Sequence, residues 1–351
     1  MYIFISVLIF GLLITVHEIG HFLAAKFSNV KVTELAIGMG PAIIKRTRGE
    51  TQYSLRILPI GGYCAMEEDE KSSDPRSITN QSFLRRFIIL FAGSAMNFIT
   101  GFVILLFIVP NSMAFTTPTI LDFVDGSPFQ GEDALMVGDT FHRIDGQRVF
   151  FTSNIPMLLA RTDSEYYNIT VIRDGERVEL RNFRFAPFEH EVNGQMVTRL
   201  GIGVGVKEEG LIPGIRDTWN CSLDLVRMVW MGLSDLVTGR LGLNDVAGVV
   251  GIVGIISDAG ATAPTFVDAV FNIAYLTAFI SINLAIMNML PIPALDGGRI
   301  LFLFITSAIE KIIGRRLNPK YEGYIHATGL VLLLGLLGVI MVNDIFRLVV
   351  N

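Results

Sequence analysis

Charge is what this 351-residue chain has least of: Asp, Glu, Lys and Arg make up 17% of it, against about a quarter in soluble domains. That shortfall, with a mean hydropathy of +0.52, excludes a purely soluble protein. Basic excess is missing as well. A formal net charge of −5 and a pI near 5.6 exclude a nucleic-acid binder that works through a basic surface. Cysteine is nearly absent, and Cys64 and Cys221 are too few for a disulfide framework. Histidine is scarce too, with five in the chain, so two of them in one apolar run stand out.

Apolar residues are abundant, at 51%, and they are gathered into runs. Residues 1–25, 87–110, 267–309 and 325–343 are long and nearly uncharged, each near or beyond the roughly 20 residues that span a bilayer. Residues 111–220 have the composition of an ordinary polar globular domain. The expected fold class is a polytopic α-helical membrane protein with four transmembrane segments and one inserted soluble domain. The first run could be read as a signal peptide ending at Phe22-Leu23-Ala24-Ala25. It lacks a basic n-region and carries His17, Glu18 and His21, so it is expected to be retained.

Orientation follows from Lys and Arg in the short loops. Lys26, Lys31, Lys45, Arg46 and Arg48 follow the first run, Arg85 and Arg86 open the second, and Lys311, Arg315, Arg316 and Lys320 lie between the third and fourth. Both termini and residues 111–265 are therefore expected outside the cytoplasm, in a multi-pass inner (cytoplasmic) membrane protein. Cys64 and Cys221 then lie on opposite sides and cannot pair. Two β-prone stretches, Ala42–Thr47 and Thr51–Leu58, predict a hairpin at the cytoplasmic face. The acidic stretch Glu67, Glu68, Asp69, Glu70 with Ser72, Ser73, Asp74 and Pro75 reads as a solvated loop. Asp125-Gly126-Ser127, Asp145-Gly146-Gln147 and Asp174-Gly175-Glu176 are turn signals between short strands. Residues 220–240 carry apolar side chains at helical spacing and suit an amphipathic helix on the outer membrane surface, with a soluble-core helix as the alternative.

The chemistry concentrates at His17-Glu18-Ile19-Gly20-His21, an H-E-x-x-H match. On a helix the two imidazoles share one face and can bind one divalent ion, while Glu18 beside them can take a proton from the attacking water. Placing three ionisable side chains in an apolar segment is costly, which marks them as functional. A catalytic zinc wants a third protein ligand and an open position. Asp296, after Pro291-Ile292-Pro293-Ala294-Leu295, and His326 are the candidates. The two prolines break the third run, which is tolerable in a membrane where the freed backbone lines a cavity. Asp296 would then open a new helix, Gly297–Ile309. By helical rise His17 lies roughly 14 Å, and Asp296 about 20 Å, from the inner boundary. His326 would be too shallow, so Asp296 is the expected third ligand.

This combination resembles the bacterial site-2 protease family, of the RseP type. It rests on H-E-I-G-H in the first segment, Asn283 and Asn288 ahead of Pro291-Ile292-Pro293, and Leu295-Asp296-Gly297-Gly298. It rests also on a run from Gly126-Ser127-Pro128 through Gly138-Asp139 to Ile144-Asp145-Gly146 that is similar to a bacterial PDZ domain. Gly38-Met39-Gly40-Pro41 and Pro59-Ile60-Gly61-Gly62-Tyr63 resemble the family's membrane-associated β-region, and Phe91–Phe98 its second-segment motif. Ser94 stands where Pro is usual there, and Gly248–Ile252 has Val at a position often held by Pro. The resemblance implies one Zn²⁺ per chain held by His17, His21 and Asp296, with Glu18 as catalytic acid/base. It implies substrate handling by Asn283, Asn288, Gly61 and Gly62. The implied activity is intramembrane hydrolysis of peptide bonds in single-span proteins, such as pre-trimmed anti-sigma factors or signal-peptide remnants. The PDZ-like domain would gate by size or read a new C-terminus. A metal-dependent transporter or sensor using the same ligands is the alternative.

The expected organisation follows the runs. Residues 1–26 form the first span with H-E-x-x-H, 27–85 the cytoplasmic β-hairpin and loop region, and 86–110 the second span. Residues 111–207 form the PDZ-like domain and 208–265 an amphipathic helix with a Gly-rich connector. The broken third span covers 266–309, a cytoplasmic loop 310–324, and the fourth span with the C-terminus 325–351.

Overall fold

The computed structural model describes residues 2–67, 74–112, 115–162, 164–192, 195–242, 248–314 and 320–350. Most of the acidic stretch (68–73) and Arg315 and Arg316 lie outside the described residues. The chain runs through α1 (Tyr2–Phe27), β1 (Val32–Arg48), β2 (Thr51–Met66) and α2 (Phe83–Ile108). Then come β3 (Thr117–Phe123), β4 (Thr140–Ile144), β5 (Gln147–Arg148), α3 (Asn154–Leu159), β6 (Tyr166–Arg173) and β7 (Glu176–Arg184). β8 (Phe188–Val192), β9 (Gln195–Arg199) and β10 (Ile202–Val206) precede α4 (Leu211–Val237), α5 (Val249–Ala261), α6 (Phe266–Asn288), α7 (Asp296–Ile313) and α8 (Lys320–Val350). Two compact units result: Met1–Ile104 with Leu225–Asn351, and Leu105–Asp224.

Among the described residues, four helical stretches are long and apolar enough to cross a membrane: Tyr2–Phe27, Phe83–Asn111, Phe266–Asn288 and Gly323–Asp344. Much of their apolar surface points outward, as with Phe4 and Leu12 on α1 and Val331 and Leu332 on α8. Outward-facing apolar side chains suit lipid. The helices approach one another through small residues. A Cβ on Gly20 would overlap the Ala92 carbonyl, and one on Gly101 would sit 2.9 Å from the Ala278 oxygen. Ser281 Oγ donates to the Asn97 carbonyl at 2.7 Å, joining α6 to α2.

The third apolar run is broken, as its two prolines require. α6 ends at Asn288 and α7 begins at Asp296. Between them Ala294 takes a left-handed conformation with φ 81°, which an alanine adopts only under strain. α7 then folds back so closely that a Cβ on Gly297 or Gly298 would overlap the backbone of Met289, Leu290 or Ile292. These glycines let Asp296 open its helix against the end of α6. The new helix runs to Ile313, beyond the Ile309 expected from hydropathy.

The connector before α6 is also partly helical. α5 contains three glycines yet forms a regular helix, because apolar surroundings force backbone groups to pair within the segment. Asp344 of α8 accepts the Gly251 N–H at 2.9 Å and so caps its first turn.

The β1–β2 pair departs from the expected hairpin. Both strands are longer, and the first half of β1 sits between the two halves of β2. Glu34 to Ile37 pair with Ala65 to Gly62 on one side and with Gln52 to Leu55 on the other. β2 also runs along α1, where Gly11 lets the Pro59 carbonyl approach. Gly11 lies six residues beyond His17, about 9 Å further along the helix. The hairpin therefore reaches along α1 past the level of His17. Its outward side chains suit that position: Met39, Ile43, Ile44, Ile57 and Leu58 are all more than half exposed, and lipid solvates them without cost.

Glu34 pins this sheet. Its carboxylate accepts hydrogen bonds from Ser54 Oγ (2.6 Å), Arg56 (2.9 Å) and Tyr63 Oη (2.8 Å). Burial alone would raise its pKa, but these donors outweigh it and hold the carboxyl at about 2. A depressed carboxyl stabilises the fold above its unfolded value of 4.5 and loses that contribution as pH falls toward 2. Glu34→Gln should therefore lower the thermal midpoint at pH 7 and flatten its fall across that acid range. An unchanged acid profile would remove Glu34 from this role.

The second unit is an antiparallel sheet in the order β10-β3-β4-β6-β7, with β5 beside β4 and a separate β8–β9 pair. Alternate residues of β6 (Tyr167, Ile169 and Val171) are buried, the period-two pattern of a one-sided sheet. Ile120, Phe141 and Ile144 on the neighbouring strands are buried too. Asp145-Gly146 and Asp174-Gly175 both have positive φ, the geometry of tight two-residue hairpins. Asp139, fully buried, is paired with Arg173 at 2.8 Å, and Arg173 also holds the Ala134 carbonyl. Helix α4 starts at Leu211 and ends at Val237 rather than covering 220–240. Cys64 and Cys221 are both free.

Candidate metal centre

Three side chains from two distant stretches of sequence converge inside the membrane unit. His17 and His21 lie one turn apart on α1, and Asp296 is the first residue of α7. His17 Nε2 is 3.0 Å and His21 Nε2 3.2 Å from Asp296 Oδ2, and the two nitrogens are 3.1 Å apart. Both imidazoles are buried. Among the described residues these form the one group of three His, Cys, Asp or Glu side chains close enough to share a metal ion. The side chain of His326 lies outside the described set.

The donors fit zinc. Asp296 Oδ2 is buried and makes no hydrogen bond of acceptable geometry, despite two nitrogens beside it. His21 Nδ1 lies 2.8 Å from the Ile89 carbonyl. A carbonyl can only accept, so Nδ1 carries the proton and Nε2 presents a lone pair. One proton could be shared by at most two of the three atoms, whereas a divalent cation accepts all three. Tetrahedral bonds of 2.0–2.1 Å would separate donors by roughly 3.3 Å, close to the spacing observed. Two nitrogens and one carboxylate oxygen leave a fourth position open, the pattern of catalytic zinc.

The centre opens on a cavity of about 440 Å³. Glu18, Tyr63, Cys64, Asn97, Asn288 and Arg299 line its polar side, and Ile14, Met66, Leu90 and Leu284 its apolar side. Glu18 accepts a hydrogen bond from the Cys64 backbone and lies beside Gly62, where an added Cβ would sit 3.5 Å from Glu18 Cγ and only 2.9 Å from the Ala36 carbonyl. Asn288 lines the cavity, while Asn283 is half-buried on α6 and not among its lining residues. Gly61 has φ +87° and lies under Met39.

Two neighbours on α2 complete the site, and sequence reasoning assigned a role to neither. A Cβ on Gly93 would overlap both imidazoles, so glycine is required for α1 and α2 to close around them. Asn97 is buried, with Nδ2 3.5 Å from His17 Nδ1 and Oδ1 unpaired. Turning its amide over brings Oδ1 onto the Nδ1–H, satisfies the oxygen and leaves His17 Nε2 free for metal. An amide inside an apolar run was the available signal. Asn97→Leu should weaken zinc affinity about 10–100-fold, the usual worth of such an outer partner. Competition with a chelator measures it, and wild-type affinity would exclude the contact.

Apolar helices long enough to cross a bilayer, with a two-histidine, one-carboxylate centre and a glutamate in one cavity, define a membrane zinc metallopeptidase. The chain belongs to peptidase family M50, whose model matches residues 5–336. It is similar over 98% of its own length to relatives in two clostridia, each of which carries the name of a zinc metalloprotease. The identity is 34% with the protein of Clostridium perfringens, 98% of which is covered. It is 35% with that of Clostridium acetobutylicum, 97% of which is covered. It is also 27% identical to the regulator of sigma-W protease RasP of Bacillus subtilis, over 97% of each chain.

Proposed function

We propose that His17, His21 and Asp296 hold one zinc ion and that Glu18 moves the proton, so that peptide bonds are cut within the membrane segments of single-span proteins. The observation that carries this is the buried Asp296 Oδ2, without a hydrogen bond of acceptable geometry, facing two imidazole nitrogens, with Glu18 in the same cavity. Zinc, when bound, supplies a Lewis acid that polarises the scissile carbonyl and acidifies the attacking water. Glu18 accepts the proton of that water and returns it to the leaving amine. The Cys64 N–H, hydrogen-bonded to Glu18, orients the carboxylate toward the cavity.

A helical peptide bond is shielded by its own hydrogen bonds, so the substrate must first unwind. β2 residues Tyr63, Cys64 and Met66 line the cavity, and the strand from Gly61 can hold the unwound segment by strand addition. Asn288 can hydrogen-bond its freed backbone from the opposite wall, with Asn283 one and a half turns earlier on α6. The RasP relative is named as a regulator of sigma-W. With the resemblance set out above, that favours pre-trimmed anti-sigma factors and signal-peptide remnants as substrates. The short-loop charges support four spans with both termini outside. The second unit, with its Asp-Gly hairpins and short helix α3, is a PDZ-like domain outside the cytoplasm that gates access or reads a new C-terminus.

The test is purified protein mixed in detergent with a single-span protein, the products being sized by mass spectrometry. The expected cut lies inside the apolar segment, stops on chelation and returns with zinc. Cuts confined to the flanking soluble residues would overturn the reading.

A further inference from the structure

Helix α4 buries polar side chains beside Cys221, Leu225 and Val229 and leaves large apolar ones exposed. On one face Asp217, Thr218, Ser222 and Asp224 are buried. The Thr218 and Ser222 hydroxyls bond back to the Gly214 and Thr218 carbonyls, and Asp224 Oδ2 accepts a 2.7 Å hydrogen bond from Asn154 Nδ2. On the other face Ile212, Ile215, Trp219, Leu223 and Trp230 are exposed. Their spacing of three, four, four and seven residues puts them on one continuous stripe. Trp219 and Trp230 are the only two tryptophans in the chain, and they are 49% and 54% exposed.

The position of the helix start says what covers this stripe. Gly214, in the first turn of α4, packs against Pro110, where an added Cβ would lie 3.1 Å from the proline ring. Lys207 Nζ donates to the Val109 carbonyl at 2.8 Å. Val109 and Pro110 end the candidate span Phe83–Asn111. The stripe therefore begins where a membrane span ends, at the level where hydrocarbon gives way to headgroups. Tryptophan is enriched at that level because its ring is apolar and its N–H polar. Phe107, on the last turn of α2, is 72% exposed as well.

We propose that the exposed face of α4 lies in the headgroup region of the bilayer, so that lipid is its partner and both tryptophans are interfacial anchors. The attraction is apolar rather than electrostatic. Arg216, beside the stripe, is paired with Glu208 at 3.2 Å and Asp217 at 3.1 Å, and three aspartates accompany the two arginines on the helix. Anionic lipid should not be needed. Through Asp224 and Asn154 the helix also ties the chain ahead of it to the membrane surface. This surface is separate from the metal centre, and its test does not depend on cleavage.

Because the chain has no other tryptophan, emission excited selectively at tryptophan, beyond tyrosine absorption, reports this face alone in the full-length protein. The protein is reconstituted in phosphatidylcholine vesicles whose acyl chains carry bromine near the carbonyl end or near the methyl end. Carbonyl-end bromine should quench emission at least about twofold, more than methyl-end bromine does, as expected of an interfacial ring. Aqueous acrylamide should quench weakly, and replacing about half the lipid with phosphatidylglycerol should change nothing, since burial of apolar surface drives the binding. Trp219→Phe and Trp230→Phe, which keep an apolar ring, should each retain this pattern for the remaining tryptophan. Strong acrylamide quenching without bromine quenching would show a face in water. Protection from both quenchers would show a face covered by protein. Either result overturns the proposal.

Discussion

Glu18→Gln should lower cleavage of a single-span substrate by at least about 10²-fold, the low end for removal of a general base, while one zinc per chain is retained. Glutamine keeps the size of the side chain and can still accept a hydrogen bond from the Cys64 backbone. It cannot take up a proton. Glu18 points about 100° around the helix from His17 and is not among the three converging ligand atoms, so the metal should stay. Substrate should bind and accumulate uncut. Zinc content by mass spectrometry and single-turnover cleavage measure the two halves separately. A near wild-type rate would show that Glu18 is not the base, and would move weight from a peptidase to a metal transporter or sensor.

Asp296→Ala should remove zinc and cleavage together. Only His17 and His21 would remain, and two imidazoles one turn apart make a weak site. Outer-shell partners alone are worth about 10–100-fold in affinity, so loss of a direct ligand should cost more than about 10²-fold. Asp296 also links α7 to α1 across the break between α6 and α7. Asp296→Glu, which keeps the carboxylate on a longer stem, separates loss of a ligand from loss of packing. It should recover part of the zinc binding, and helix content by circular dichroism should match wild type in both variants. Wild-type zinc affinity in the alanine variant would remove Asp296 from the ligand set.

Most of the membrane architecture was legible because a bilayer imposes one strict rule: an apolar run must satisfy its own backbone. Run lengths therefore pointed to the helices, and Pro291 and Pro293 to the break. The hairpin turns at Asp145-Gly146 and Asp174-Gly175 were legible for a local reason, since few residue pairs tolerate two positive φ angles. Elements whose state depends on distant partners were less legible. α5 looked like a glycine-rich connector until its packing against α1 and α6 and its cap from Asp344 supplied what its sequence lacks. The β1–β2 pair looked like a short hairpin because local periodicity does not show that the first half of β1 pairs with both halves of β2.

The sequence by itself determined the class of chemistry, since His17, Glu18 and His21 are held in one turn of helix by spacing alone. It determined the spans in the same way, because hydropathy acts locally along the chain. Only the tertiary structure decided how those pieces meet. Gly93 matters because α2 crosses the imidazoles there, and Asn97 because its amide reaches His17 from eighty residues away. Gly297 and Gly298 matter because α7 folds back on the end of α6, which brings the Asp296 oxygen to two nitrogens. The outward face of α4 was likewise decided by packing, for helical spacing shows that a stripe exists but not which side is buried. Spacing is a property of the chain, whereas convergence and burial are properties of surfaces that exist only once the chain has folded.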